Sequence, residues 1–177
     1  MGDGSPATGV GSLRVAPVSD DQWDIVAWLW QAFRQDLALV VHGFPYADGR
    51  DATTELPTLR GPDGAGYLAW RPHPKTGEDA PVAFALVAGL EGGRHSFAGF
   101  WVAPPARRDG VGRVLALDVL ARHETPWSIA FQHDNAGAGH FWRHVADAAF
   151  GSGRWSETRR EVQSRADAPP DHVIESC

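Results

Sequence analysis

The clearest hydrophobic pattern lies near the start of the chain. Trp23, Val26, Trp30, Phe33, Leu37 and Val40 step by three or four residues, the spacing of one helix face. Ser19 stands three residues before Gln22, a capping-box spacing, and Asp20 and Asp21 suit the positive end of a helix dipole. A long amphipathic helix is therefore predicted, preceded by a short strand in LRVAPVS (13–19). HGFPYADGRD (42–51) stops the helix, and one short helix is expected within ATTELPTLR before GPDG. The apolar runs GYLAWRP (66–72), PVAFALVAGL (81–90) and HSFAGFWVA (95–103), separated by HPKTGEDA and EGGR, predict an antiparallel meander that Pro104 and Pro105 terminate. VGRVLALDVLARH (111–123) has helical spacing, with Val111, Val114, Leu115 and Val119 inward, and WSIAFQ (127–132) reads as a short buried strand. Asn135 opens a further helix, AGAGHFWRHVADAAF, that ends at Gly151. GRWSETRREVQ and DHVIESC close the chain as two strands around a Pro-containing loop.

This order predicts an α/β (α+β) fold: a mixed, mostly antiparallel sheet of six to seven strands flanked by about four helices. The meander demands antiparallel neighbours, and the later alternation demands a parallel crossover. At 177 residues and 43% hydrophobic, residues 13–177 suffice for one domain with a proper core. Residues 1–12, MGDGSPATGVGS, have neither a basic start nor an apolar stretch and read as a loose tail rather than a signal peptide. Pro6 stands where a myristoylation signal wants Ser or Thr. No apolar run is long enough for a membrane span, and the single cysteine, Cys177, has no internal partner, which points to a cytoplasmic protein. The net charge of −6 argues against nucleic acid as partner and is compatible with an amine-bearing one.

Between the meander and the next helix lies ARRDGVGR (106–113). It is not a Walker loop, which needs G-x-x-x-x-G-K-[ST]. It is not a dinucleotide fingerprint either, since Leu115 occupies the place of the third glycine. What remains is R-x-x-G-x-G, with Arg107, Gly110 and Gly112 after a strand and opening a helix. Unpaired amides at a helix N-terminus favour an anion, and glycines let a diphosphate approach the backbone. A glycine-rich turn with solvated arginines would look the same in isolation.

Two patterns in register decide between these readings. The R-x-x-G-x-G loop and, downstream, NAGAGHFW (135–142) together resemble the GNAT (Gcn5-related N-acetyltransferase) family, whose motifs are [QR]-x-x-G-x-[GA] and N-x-x-A-x-x-[FL]-Y. WSIAFQHDNAGAGHFWRHV further resembles a small bacterial branch of that family. The resemblance implies a GNAT-like fold and acetyl-CoA (coenzyme A) as donor. Its diphosphate is expected on the backbone of Arg107, Arg108, Asp109, Gly110, Val111, Gly112 and Arg113. Main-chain bonds from Trp101, Val102 and Ala103 to the pantetheine arm are implied, with Asn135, Ala138, Phe141 and Trp142 along the cofactor. The implied reaction is direct transfer of acetyl to a primary amine of a small molecule or peptide, with a backbone N–H near Val102 holding the oxyanion.

The chain also departs from the pattern. The family's usual acid, a tyrosine, is replaced by Trp142, whose indole N–H cannot serve as an acid, and the strand 95–103 carries no carboxylate. His133, His95, Glu91 and Tyr67 remain as candidate acids and bases. The resemblance puts the acceptor pocket at about 23–60 and 154–175, with Trp28, Phe33, His42, Phe44 and Tyr46 as candidate lining. Trp28, off the inward stripe, is available to a pocket or to the face of a homodimer. His140 and His144 lie i, i+4 but lack the glutamate of H-E-x-x-H, so no metal is expected. The rival reading is a non-catalytic acyl-CoA-binding sensor or scaffold of the same fold.

Overall fold

The computed structural model describes residues 13–124, 126–161 and 170–177; the tail 1–12 and most of the Pro-containing loop lie outside them. After strand β1 (Arg14–Pro17) the Gln22 side chain accepts from the Ser19 N–H (3.2 Å), while the Ser19 hydroxyl donates to Asp21 (2.6 Å). That cap starts a 3-10 turn over Asp20–Gln22, which runs on into α1 (Trp23–Val41). Helix α1 stops at His42, whose backbone is left-handed (φ 52°, ψ 37°). A short α2 (Leu56–Leu59) follows, then β2 (Gly64–Pro72), β3 (Asp79–Ala88) and β4 (His95–Val102). The chain closes with α3 (Val111–Arg122), β5 (Trp127–Phe131), α4 (Ala136–Phe150), β6 (Trp155–Arg160) and β7 (Asp171–Ser176). No described helix is long and apolar enough to cross a membrane.

Seven strands form one mixed sheet in the order β1-β2-β3-β4-β5-β7-β6. Alternate residues of the meander serve opposite faces. Tyr67, Ala69, Ala83, Ala85 and Val87 pack under α3 and α4 with Trp127, Ile129 and Trp142. Their neighbours Leu68, Trp70, Phe84 and Leu86 pack under α1 and α2 with Val26, Trp30 and Leu56. The sheet is thus buried on both sides, which is why these strands read as continuous apolar runs.

Two irregularities shape the middle of the sheet. The β3–β4 register shifts between Leu86 and Val87, which leaves Ala98 as an extra residue on β4 and bends that strand. Strands β4 and β5 run parallel and pair only at His95–Trp127 and Ser96–Ser128. Beyond these two pairs they diverge, and a gap opens toward the C-terminal ends of both strands.

The far edge of the sheet carries an electrostatic clamp. Glu157 on β6 accepts two hydrogen bonds from Arg143 of α4, both 2.7 Å, and one from His172 of β7 (2.5 Å). The Arg143 hydrogen bonds lead, and they hold the Glu157 carboxyl at about 2, against an ordinary 4.5. A depressed folded-state value stabilises the protein above the unfolded pKa and is lost as pH falls through the folded one. Glu157→Gln should therefore narrow its thermal-stability gap from the wild type between pH 4.5 and pH 2, with a constant gap above pH 5 in melts across that range.

Candidate functional site

The loop before α3 is shaped by its own backbone. After a 3-10 turn over Pro104–Ala106, Arg108 (φ 68°) and Gly110 (φ 78°) adopt left-handed conformations, which turn the chain back on itself. Gly110 caps α3, whose first internal bond runs from Val114 N–H to the Gly110 carbonyl (3.0 Å). The amides of Gly110, Val111, Gly112 and Arg113 precede that bond and have no carbonyl one helical turn back to accept them. A β-carbon at Gly112 would meet Val102 Cγ2 at 3.3 Å and the Phe141 ring at 3.4 Å, so only glycine leaves this corner open.

The loop arginines differ in what they contact. Arg107 turns inward: its Nε donates to the Val102 carbonyl (2.9 Å) and its guanidinium pairs with Asp36 of α1. Asp36 also accepts from the Trp101 indole (2.8 Å), so this carboxylate ties α1 to the end of β4. Asp109 is held by Arg71 of β2 (3.0 Å). Arg108 and Arg113 form no ion pair among the described residues and line a cavity of about 840 Å³ with Gly110, Gly112, Asn135 and Phe141. The net positive charge at the loop mouth thus comes from Arg108 and Arg113.

This cavity continues into the gap between β4 and β5. Ala103 N–H donates to the Val82 carbonyl (2.8 Å), and the alternation of an antiparallel ladder gives Trp101 the same partner strand. Val102 and Phe100, one step out of phase, turn their N–H groups toward the gap. Of the three residues expected to offer main-chain bonds, only Val102 faces the gap; Trp101 and Ala103 face β3, and Phe100 takes their place. Asn135 caps α4, its side-chain oxygen accepting from Ala138 N–H (3.1 Å). Asn135, Ala138 and Trp142 line this cavity and also a second one of about 590 Å³. Trp142 is buried, its ring 4.9 Å from both Phe97 and Phe100.

The second cavity lies under α1 and α2. Its walls include Trp30, Phe33, Phe97 and Phe131, and its polar lining includes Arg34, Thr54, Glu55, Thr58 and Gln132. Of the five residues expected in an acceptor pocket, Phe33 lines both cavities. Trp28, Phe44 and Tyr46 are exposed, at 79%, 91% and 67%, and His42 is exposed past the end of α1. Trp28 is on the outward face of α1, and after the left-handed His42 the chain leaves the helix with Phe44 and Tyr46 exposed.

None of the four candidate acids and bases lines either cavity. Tyr67 faces α3 and shares a 2.7 Å hydrogen bond with His123, and burial raises its pKa. His95 lies against His123 and Trp127 at the opposite end of β4 from the loop, its Nδ1 3.2 Å from the Gly89 carbonyl. Glu91 lies in the turn before β4, its N–H donating to Asp63 (2.8 Å). His133 Nδ1 is 2.8 Å from His172 Nε2. Because a carboxylate only accepts, His172 donates from Nδ1 to Glu157 and, when neutral, accepts from His133. No group of His, Cys, Asp and Glu suited to a metal ion occurs among the described residues.

Glu55 and Arg34, the charged groups that do line the second cavity, were not singled out from the sequence. Glu55 precedes the first turn of α2, where the Thr54 hydroxyl donates to it (3.4 Å).

No protein-family model matches the chain, and no curated protein matches it. Solved structures do. A ribosomal-protein alanine N-acetyltransferase from Escherichia coli superposes with a TM-score of 0.57 at 15% identity, covering 92% of this chain and 91% of that one. An acetyltransferase of the GNAT family from Staphylococcus aureus gives 0.60 at 11% identity, covering 93% and 99%. A Bacillus anthracis protein assigned as a streptothricin acetyltransferase, in complex with acetyl coenzyme A, gives 0.57 at 10% identity, covering 93% and 96%. At these identities the likeness is one of fold.

Proposed function

Because the chain has the GNAT fold, we propose that it is an acetyl-CoA-dependent N-acetyltransferase that moves an acetyl group directly onto a primary amine. The observation that carries this reading is the break in the sheet. The β4–β5 gap joins an amide-rich, cationic loop at one end to a cavity with aromatic walls and a few polar groups at the other. That combination suits an elongated ligand with an anionic head and a reactive tail. The acetyl-CoA complex of the Bacillus anthracis neighbour supports the choice of donor.

The residues fit such a ligand. Gly112 leaves open a corner that a β-carbon would fill, and Arg108 and Arg113 are unpaired there. The amides from Gly110 to Arg113 would hold the diphosphate, with these two arginines adding charge. Val102, nearer the loop, would bond the pantetheine arm as a missing strand does. When bound, acetyl-CoA supplies an acetyl group activated as a thioester. The Phe100 N–H, on the strand residue that also lines the second cavity, would serve as donor to the acyl oxygen.

An amine with a pKa near 10 must lose a proton before it attacks. Glu55 is the one carboxylate among the described residues that lines the second cavity, and it would receive the ammonium group and take that proton. The new C–N bond replaces the C–S bond, and the second amine proton passes to the departing thiolate, whose pKa of about 8.5 lets it leave without a protein acid. Trp142 then shapes the cavity wall and transfers no proton.

Titration calorimetry with acetyl-CoA, followed by an acetyl-transfer assay on an amine panel, tests the proposal. Glu55→Gln should bind acetyl-CoA as the wild type does and transfer acetyl about 100-fold more slowly. Absence of acetyl-CoA binding would overturn the reading, and binding without turnover on any amine would favour a sensor.

A further inference from the structure

The second cavity holds two charges of opposite sign that do not neutralise each other. Arg34, on α1, lines it beside Phe33, and Glu55 lines it from the start of α2, yet the two form no ion pair. Arg34 has no hydrogen bond or ion pair to any described residue, and its Nε is both shielded from solvent and unpartnered. The contrast with Arg107, one cavity away, is direct: that guanidinium is satisfied by Asp36 and by the Val102 carbonyl.

A guanidinium whose Nε is shielded from water and unpartnered, in a cavity also lined by Trp30, Phe33 and Phe131, lacks an anion to offset that desolvation. Its planar fork of donors matches a carboxylate in a bidentate way. Glu55 meanwhile offers a place for a cation within the same walls. A cavity of about 590 Å³ with aromatic walls has room for a small apolar frame between these charges.

We infer that the acceptor is a small zwitterion, an amine that carries a carboxylate on an apolar frame, with the carboxylate on Arg34 and the amine toward Glu55. This rests on the acetyltransferase reading above, and it names the substrate class of that site. Arg34 is the specificity residue: it sets which amines are held.

The test uses the full chain and does not depend on turnover. Calorimetry compares N-acetylglycine, N-acetyl-β-alanine and N-acetylphenylalanine with their uncharged amides, with and without coenzyme A. At least one acid should bind the wild type at least tenfold more tightly than its amide. Arg34→Gln should erase that preference and leave amide binding unchanged, and Arg34→Lys should keep part of it. In the transfer assay the matching loss should appear in KM more than in kcat. Equal affinity for every acid and its amide in the wild type, including no binding of either, overturns the assignment; so does a preference that survives in Arg34→Gln. Acid-selective binding without acetyl transfer to any amine would uphold the anion site and sink the transferase reading alone.

Discussion

Gly112→Val is expected to weaken acetyl-CoA binding by at least about 100-fold while the protein still folds. A β-carbon at this position already meets Val102 at 3.3 Å and Phe141 at 3.4 Å, and the two further methyl groups of valine must enter the cleft between β4 and α4. A diphosphate displaced from the amides of the α3 N-terminus loses at least two hydrogen bonds to a charged group, roughly 1.5–3 kcal/mol each. That sum exceeds the ~2.7 kcal/mol that corresponds to two decades of affinity. Gly112→Ala should lie between valine and wild type, because the neighbours need to yield by only a few tenths of an ångström. Calorimetry gives the affinity and circular dichroism the fold. Wild-type affinity in Gly112→Val, with the fold intact, would remove the loop from the binding site.

The largest effect on stability is expected from Trp30→Ala. Trp30 is 2% exposed, its ring lies 5.1 Å from Phe33, and its indole N–H donates to the Ala52 carbonyl (2.7 Å). It also crosses β4 at Gly99, where a β-carbon would come within 2.9 Å of the ring. Truncating a buried tryptophan costs on the order of 3–5 kcal/mol, a large share of the 5–15 kcal/mol typical of a domain. The melting temperature should fall by about 6–20 °C at 2–4 °C per kcal/mol. Trp28→Ala is the internal comparison: at 79% exposed it should change stability by no more than about 0.5 kcal/mol. Equal effects of the two variants in denaturant titrations would contradict the assignment of the inward face of α1.

These two tryptophans also show what can be read from the chain alone. The stripe Trp23, Val26, Trp30 separated the core face of α1 from Trp28 because helical periodicity is a local property. The geometry of the glycine loop was legible for a related reason: it belongs to the backbone, and glycine spacing marks where the backbone must be exposed or left-handed. The second cavity was not legible. Arg34 and Asp36 flank the apolar stripe of α1, where charged residues are ordinarily solvated, and only the sheet beneath decides that each meets a cavity. Glu55 lies between chain breakers, in a segment without periodicity. Tyr67 and His133 were candidates by residue type, but strand alternation points Tyr67 to α3, and the β5–β7 register, Phe131 opposite His172, brings His133 to His172. Such pairings depend on partners 39 and 56 residues away along the chain.

The divergence of β4 and β5 has a thermodynamic side as well. Two backbone pairs join a four-stranded half of the sheet to a three-stranded half, and the helices α3 and α4 pack across the join. The seam is the weakest line of backbone continuity in the sheet, so opening along it exposes fewer ladder bonds than opening anywhere within the meander. A ligand lodged in the seam would act as a keystone: its binding free energy adds to the cooperativity between the halves, and stability rises with the logarithm of its concentration. Ligand occupancy and the mechanical unity of the sheet are thereby one equilibrium.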